Sequence, residues 1–427
     1  MIRVAHFSDL HYGGKTLAEA ERCFGAAIDQ AIAREVAVAV VSGDATDHAL
    51  DLHAPAATRL LAQIRRLAEH CPVLMLQGTF SHEPPGTLRG FALLGGRYPV
   101  QVVERIGQVA LGRDGQWQVS AGWRFDTLPD GCRALFSCVP TVNKAAVAAV
   151  AAVVGAPAAA EAVGEHLSTV LRGFAPSHRA AQQAGVATLG VAHGTVFGCV
   201  SEQGVPMAGF DHEFTSGSLF AAEAQAFLLG HIHRHQRWER TGPCGPQCIA
   251  YAGSIGRFHF GEVGDKGWVC WTLAPEQVQC ELVPTPVQPT LDIVIDGVPD
   301  PVALRAHLAG QALQGTRVRV RWQVAEEDAA RVDRAALLQV LGEAAEVKFE
   351  GRVIPLVRTR AAGLAAVTSL PDKIRVWASV TEAPVEPLLE CLAQLAAATA
   401  EGIAQQVLHP GTVAGHRPGG GSCAPCP

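Results

Sequence analysis

The sequence predicts an α/β fold in which mixed sheets are flanked by helices, and three observations carry that expectation. Short apolar, β-branched runs end abruptly at glycine or a polar residue, as where residues 36–41 meet Ser42, Gly43 and Asp44. Between such runs, apolar residues step along one helical face: Leu17, Ala20, Phe24, Ile28 and Ile32, then Leu60, Ile64 and Leu67. Strand alternating with helix implies parallel pairing, whereas residues 108–123, with their Asp-Gly, and the runs 268–273 and 279–283 read as hairpin-like β pairs.

A chain of 427 residues, 48% of them apolar, exceeds one ordinary core and is expected to divide into domains. The net charge of -6 and the absence of a long Lys/Arg block argue against strong non-specific adhesion to nucleic acid. Met1, Ile2 and Arg3 lead directly into a strand without the pattern of a secretory signal, so a cytoplasmic location is expected. The Ala-rich run 145–160 is interrupted by Gly155 and Pro157, falls short of a membrane span and reads as packed helix. Most of the 12 cysteines lie in apolar segments and read as core thiols. The pairs Cys244/Cys248 and Cys423/Cys426 lack compact zinc-ligand spacing and are set aside.

Chemistry concentrates at the strand ends. Ile2–Phe7 runs into Asp9, Leu10 and His11; residues 36–41 run into Asp44; Val73–Leu76 run into Gly78, then Ser81, His82 and Glu83; residues 188–192 run into His193; residues 227–229 run into Gly230, His231 and His233. Each histidine alone reads first as a hydrogen-bonded loop residue rather than a ligand. Asp-x-His and His-x-His after buried strands are rarer, because alternate residues at a strand end point the same way. Carboxylates with imidazoles and no thiolate suit Mn, Fe or Zn, and there are enough of them for two ions.

In order along the chain, Asp9 and His11, Gly43 with Asp44, His82, His193, and Gly230 with His231 and His233 resemble the motifs of the calcineurin-like metallophosphoesterases. Within that superfamily the chain looks most like the SbcD-type DNA-repair exonuclease subunits, through Ser8–His11 and the glycines after Tyr12, and through Tyr251, Ala252, Gly253, Ser254, Ile255 and Phe260, Gly261, Glu262. The likeness spans roughly residues 1–275. It implies a four-layer α-β-β-α sandwich of two mixed sheets flanked by helices, with a small α+β C-terminal capping domain.

The resemblance also implies two divalent metal ions, Mn2+ first with Fe2+ or Zn2+ as alternatives. Asp9, His11, Asp44 and His233 would hold one; Asp44, His193 and His231 would hold the other, with Asp44 bridging. His82 matches the catalytic histidine. Where the family has Gly-Asn-His, this chain reads Gly78, Thr79, Phe80, Ser81, His82. Ser81 or Thr79 would then stand in for the asparagine ligand, with Ser81 the first assignment. Asp47 reads as a supporting or turn residue.

The proline-marked stretch 284–289 suggests a boundary, giving a nuclease domain over 1–283, a cap with a C-terminal helix over 290–408, and a disordered, Gly/Pro-rich tail over 411–427. In the cap, residues 291–295 read as strand, 302–313 as helix, and Arg317, Arg319 and Arg321 as one face of a half-exposed strand. Leu388, Leu392, Leu395 and Ile403 line one side of a helix over 385–407, where the resemblance implies docking to an SbcC-type coiled-coil ATPase. The expected function is therefore a two-metal DNA nuclease working with that ATPase; DNA, the ATPase and a homodimer are the candidate partners, and no membrane. A phosphodiesterase acting on nucleotides or other small phosphoesters is the alternative within the enzyme class, and a non-catalytic DNA- or partner-binding scaffold the alternative outside it.

Overall fold

The structure, a computed structural model, describes residues 1–51, 53–141, 156–207, 213–262, 264–355, 363–397, 399–400 and 402. The expected 411–427 tail, Cys423 and Cys426, Ile403 and the first part of the 145–160 run lie outside the described residues. The described chain falls into two compact units: Met1–Gln323 with Val332–Arg352, and Val324–Arg331 with the residues from Val353 on.

Two mixed sheets form the body of the first unit, as the alternation of strand and helix predicts. One has six strands: β1 (Ile2–Phe7), β2 (Val38–Val41), β3 (Val73–Leu76), β4 (Val100–Val103), β12 (Gly267–Ala274) and β13 (Gln277–Pro284), in the order β13-β12-β1-β2-β3-β4. Strands β1 to β4 run parallel, joined by α1 (Leu17–Ala33) and α2 (Pro55–Ala68), and β12 returns antiparallel to β1. The other has seven: β5 (Gly107–Gly112), β6 (Trp117–Val119), β7 (Cys132–Val139), β8 (Ala187–His193), β9 (Ala226–Gly230), β10 (Gln236–Gly242) and β11 (Gly245–Tyr251), in the order β10-β11-β9-β8-β7-β5-β6. Within it β7, β8, β9 and β11 are parallel, with α3 (Ala156–Gln183) crossing between β7 and β8 and the short α4 (Ser216–Phe220) between β8 and β9.

Layering follows from which residues each strand sends to either side. Odd and even residues of a strand face opposite ways, so β1 sends Val4 into the core shared by the two sheets and Ala5 and Phe7 toward α1 and α2. Phe24, Ile28, Leu60, Ile64 and Leu67 of those helices complete that outer core. Val40, Leu74, Phe136, Val191, Leu228 and Trp271 fill the space between the sheets. Leu167, Leu171 and Phe174 of α3 cover the far face, against Phe227, Leu229 and Tyr251. The result is an α-β-β-α sandwich whose parallel strands are buried on both faces, as their uninterrupted apolar runs require.

After β13 a three-stranded sheet follows, in the order β14 (Thr290–Asp296), β15 (Arg317–Ala325), β16 (Glu346–Ile354), accompanied by α5 (Pro301–His307) and α6 (Arg334–Val340). Val318, Val320 and Trp322 are buried, and the three arginines alternate with them on the other face. Helix α5 is shorter than the expected 302–313. Gly310 takes a φ of 84°, which a right-handed helix cannot contain, and the chain turns after Leu308. Most of this small sheet clusters with the first unit, while α7 (Leu370–Thr381) and α8 (Val385–Ala397) belong to the second. Among the described residues no helix is long and apolar enough to cross a membrane.

Core and surface positions should respond very differently to truncation. Leu228→Ala, between the sheets, is expected to cost about 2–5 kcal/mol in urea unfolding, whereas Val294→Ala, 69% exposed on β14, should change stability by less than about 0.5 kcal/mol.

Candidate metal centre

Strand ends of both sheets deliver the candidate residues to one place, and the backbone there is unusual. Past β1 and β2 the parallel ladder continues through the turns: Asp9 N donates to Gly43 O at 3.1 Å, His11 N to Asp44 O at 3.0 Å, and Tyr12 N to Ala45 O at 3.0 Å. To keep this pairing while turning their side chains inward, Asp9, His11 and Asp44 adopt φ of 50°, 46° and 52°; His231 reaches 99°. Such left-handed conformations cost of order 1–3 kcal/mol each. Gly43, at φ 107°, has no alternative: a Cβ there would lie 2.2 Å from His193 Nδ1. Gly230 is equally hemmed in, since a Cβ would meet Ser42 O at 2.3 Å and Ser8 Oγ at 2.4 Å.

Three groups of potential ligand atoms result: Asp9, His11 and His233; Asp44, His193 and His231; and His11, Asp47 and His82. Asp9 is fully buried, accepts from Ser8 Oγ at 2.5 Å and from the His231 backbone N–H at 3.1 Å. His193 and Asp44 touch directly, Nε2 to Oδ2 at 3.2 Å. His193 and His231 rings sit 5.3 Å apart, and His11 and His233 rings 4.8 Å apart.

The hydrogen bonds fix which nitrogen of each ring faces inward. His193 Nδ1 donates to Ser42 O at 2.8 Å. His233 Nδ1 lies 3.4 Å from Glu262 Oε1, and His11 Nδ1 3.5 Å from Asp47 Oδ1. A carbonyl or carboxylate only accepts, so the Nδ1 atoms of His193 and His233 carry protons, and all three rings turn Nε2 into the site. His11 Nε2 and His233 Nε2 then face each other at 2.9 Å. At that distance one ring can donate to the other in the metal-free chain, and with that proton gone both nitrogens fit a single divalent metal.

Charge is correspondingly coupled. Burial pulls the His193 imidazole down, but the Asp44 carboxylate outweighs it and holds its pKa up at about 10; Asp44 is pushed the other way, below the usual carboxylate range, because His193 overrides its own burial. Burial raises the carboxyl of Glu262, but His233 and Lys266 bring it down to about 2. His231 is lowered by burial and by the neighbouring His193.

The loop after β3 settles the question left open by Gly78, Thr79, Phe80, Ser81, His82. Ser81 is exposed. Thr79 faces the second group instead: its N–H donates to Asp44 Oδ1 at 2.6 Å, and its hydroxyl lies 3.1 Å from Asp44 Oδ2 and 3.2 Å from His193 Nε2. Of the two candidates the structure turns Ser81 outward and Thr79 inward, because Gly78 packs tightly on Asp44, where a Cβ would come within 2.3 Å of Oδ1. His82 lies beside His11, ring centroids 4.9 Å apart and nearly perpendicular, with Nδ1 donating to Asp47 O at 2.6 Å.

Two supporting residues were not assigned roles from sequence. Glu83 is fully buried and staples the two turns, accepting from Ala45 N at 2.5 Å and Gly78 N at 2.6 Å; burial and the Asp44 charge push it up to about 8. Lys266, in a loop before β12, is buried against Glu262. The acidic residue directly after His82 was a visible signal for the first; nothing local marks the second.

No family model and no curated protein matches the chain. Among solved structures, a dimetal phosphatase from Danio rerio is similar at 10% identity and a TM-score of 0.38, over 66% of this chain and 98% of that chain. A likeness that slight carries no argument about function, which rests on the geometry above.

Ser81→Ala should leave Mn2+ binding within about threefold, whereas Thr79→Ala, which removes a group touching both Asp44 and His193, should weaken one of two sites by about tenfold or more in calorimetry. The pH dependence has a definite sign. In the metal-free chain, the His193–Asp44 pair contributes stability that is fully present below the ordinary histidine value of 6.5 and is lost as pH rises through about 10. Metal must displace the His193 proton, so binding at neutral pH should release protons and tighten as pH rises toward that value. Titrations in buffers of different ionisation enthalpy would reveal the released proton; its absence would mean that His193 is not a ligand.

Proposed function

We propose that this chain is a two-metal phosphodiesterase of the calcineurin-like class, acting on DNA as an exonuclease-type subunit. The observation that carries the reading is the inward convergence of the His11, His193 and His233 Nε2 atoms on the buried carboxylates Asp9 and Asp44 at the strand ends of two sheets. Asp9, His11 and His233 would hold one ion and His193 and His231 the other, with Asp44 shared and the Thr79 hydroxyl beside the second. Two such ions acidify a water and offset charge on a phosphoester oxygen. Asp9 and Asp44 reduce the repulsion between the cations while the neutral rings keep the site from rejecting an anionic diester. His82, pinned through Nδ1, packs against His11 at the same centre, where its ring can donate to a developing oxyanion or leaving oxygen when protonated.

DNA as substrate rests on the ordered motifs, including the segment from Tyr251 to Glu262, and partnership with an SbcC-type ATPase on the helical second unit. There Leu370, Trp377, Val380 and Leu395 are 57%, 41%, 48% and 56% exposed, apolar side chains that the helix of a partner would cover. The small-phosphoester reading has its own support. Arg319 and Arg321 both chelate Asp292 at 2.7 Å, and Arg317 pairs with Glu346 at 2.7 Å, so the arginine row is largely neutralised within the sheet.

Linear duplex DNA, single-stranded DNA and a chromogenic diester assayed in parallel with Mn2+ would separate the two. Hydrolysis of the small diester alone, even with a coiled-coil ATPase added, would sink the nuclease reading. Asp44→Asn should remove both ions and all hydrolysis; unchanged metal content would contradict its bridging place. His82→Ala should keep the metal and lose roughly 10² or more in turnover, whereas parallel loss of metal and rate would make it a ligand. Removal of residues from Val385 on should spare diester hydrolysis and abolish co-purification with the ATPase.

A further inference from the structure

Behind His233 lies an ion pair that the ligand set does not use. Glu262 and Lys266 are 4% and 2% exposed, with Nζ 2.6 Å from Oε2. The other glutamate oxygen faces His233 Nδ1 at 3.4 Å, while Lys266 Nζ donates to the His233 carbonyl at 2.7 Å and to Ser254 Oγ at 2.8 Å. His233 is thus gripped twice, at its ring by the carboxylate and at its backbone by the ammonium. Phe258 closes the same corner, its ring edge-on to His11 at 5.4 Å and to His233 at 6.5 Å.

Such a pair is costly to bury. Each ion gives up several kcal/mol of hydration, and a buried ion pair is often no more stabilising than well-packed apolar residues. Its position suggests a different return. A carboxylate on the Nδ1 proton of an imidazole fixes the tautomer and makes Nε2 a stronger donor, and losing such a partner commonly costs 10–100-fold in metal affinity. His193, by contrast, is backed by a neutral carbonyl.

We propose that Glu262 and Lys266 are positioning residues that set the affinity of the Asp9, His11 and His233 metal site: the glutamate orients the His233 ring, and the lysine holds that glutamate and the His233 backbone in place. The inference rests on the reading of this centre as a metal site.

Calorimetric titration of the full chain with Mn2+ tests it. Glu262→Gln should weaken one of two binding constants about 10- to 100-fold and leave the other within about threefold. That variant also leaves the Lys266 ammonium buried without its counter-charge, so Glu262→Gln/Lys266→Met, which removes both charges, is measured beside it. A merely structural pair predicts that the double variant regains both melting temperature and affinity; a positioning pair predicts regained melting temperature with affinity still lost. Nitrogen NMR of the unaltered chain loaded with diamagnetic Cd2+ supplies a reading that needs no variant to fold, and should find His233 protonated at Nδ1. A folded double variant with unchanged affinity, or His233 protonated at Nε2 in the loaded protein, overturns the proposal while leaving the metal centre intact. Failure of the unaltered chain to bind Mn2+ or Cd2+ overturns both.

Discussion

The hydrogen-bonded ladder between the turn at Asp9–Tyr12 and the turn at Gly43–Asp47 is the constraint on which the site depends. It runs beyond the ends of β1 and β2, so the two loops are held in register by backbone bonds rather than by their side chains. Asp9, His11 and Asp44 can then be driven into left-handed conformations and aimed at one point. Four of the seven non-glycine residues with positive φ among the described residues belong to the candidate ligand set. Strain concentrated at the site marks preorganisation: the cost is met by the sandwich, whose buried parallel strands give the loops nowhere to relax.

Around that strained core, a second layer of groups decides how each ligand presents itself. Glu83 ties Gly78 to Ala45, which brings Thr79 onto Asp44. Ser42 and Glu262 accept from the outer nitrogens of His193 and His233, and Asp47 lies 3.5 Å from that of His11. The outer partners differ in charge and burial: a neutral carbonyl, a carboxylate that is 37% exposed and a carboxylate that is fully enclosed. Candidate ligands of one chemical type therefore stand in unequal surroundings, built by residues outside the set that the motifs nominate.

The arginine row shows how the same sequence pattern acquires a different meaning in three dimensions. Arg317, Arg319 and Arg321 project from one face of β15, as alternation requires, yet Asp292 on the parallel neighbour β14 meets two of them and Glu346 on β16 meets the third. Arg317 also stacks over Phe260 at 4.5 Å, joining the small sheet to the loop that carries Glu262. The row contributes to packing within the first unit, and only its residual charge faces outward.

Much of the architecture was legible in the amino-acid order, because local patterns decided it. Apolar runs too short for helices, broken off at glycine or a polar residue and followed by Asp or His, marked β1, β2, β3, β8 and β9, and the helical spacing of Phe24, Ile28, Leu60 and Ile64 marked the layer above them. The spacing within Asp9-Leu10-His11 and His231-Ile232-His233 was sufficient to nominate those residues for one site. What the tertiary structure alone decided depends on register and on turns whose path local sequence does not set. Thr79 rather than Ser81 faces Asp44 because Gly78 packs against the Asp44 backbone from another strand. Lys266 reaches His233 across 33 residues of chain, and Asp292 neutralises arginines 27 and 29 residues away. Such partners meet only once the sheets have paired, so no periodicity in the chain could announce them.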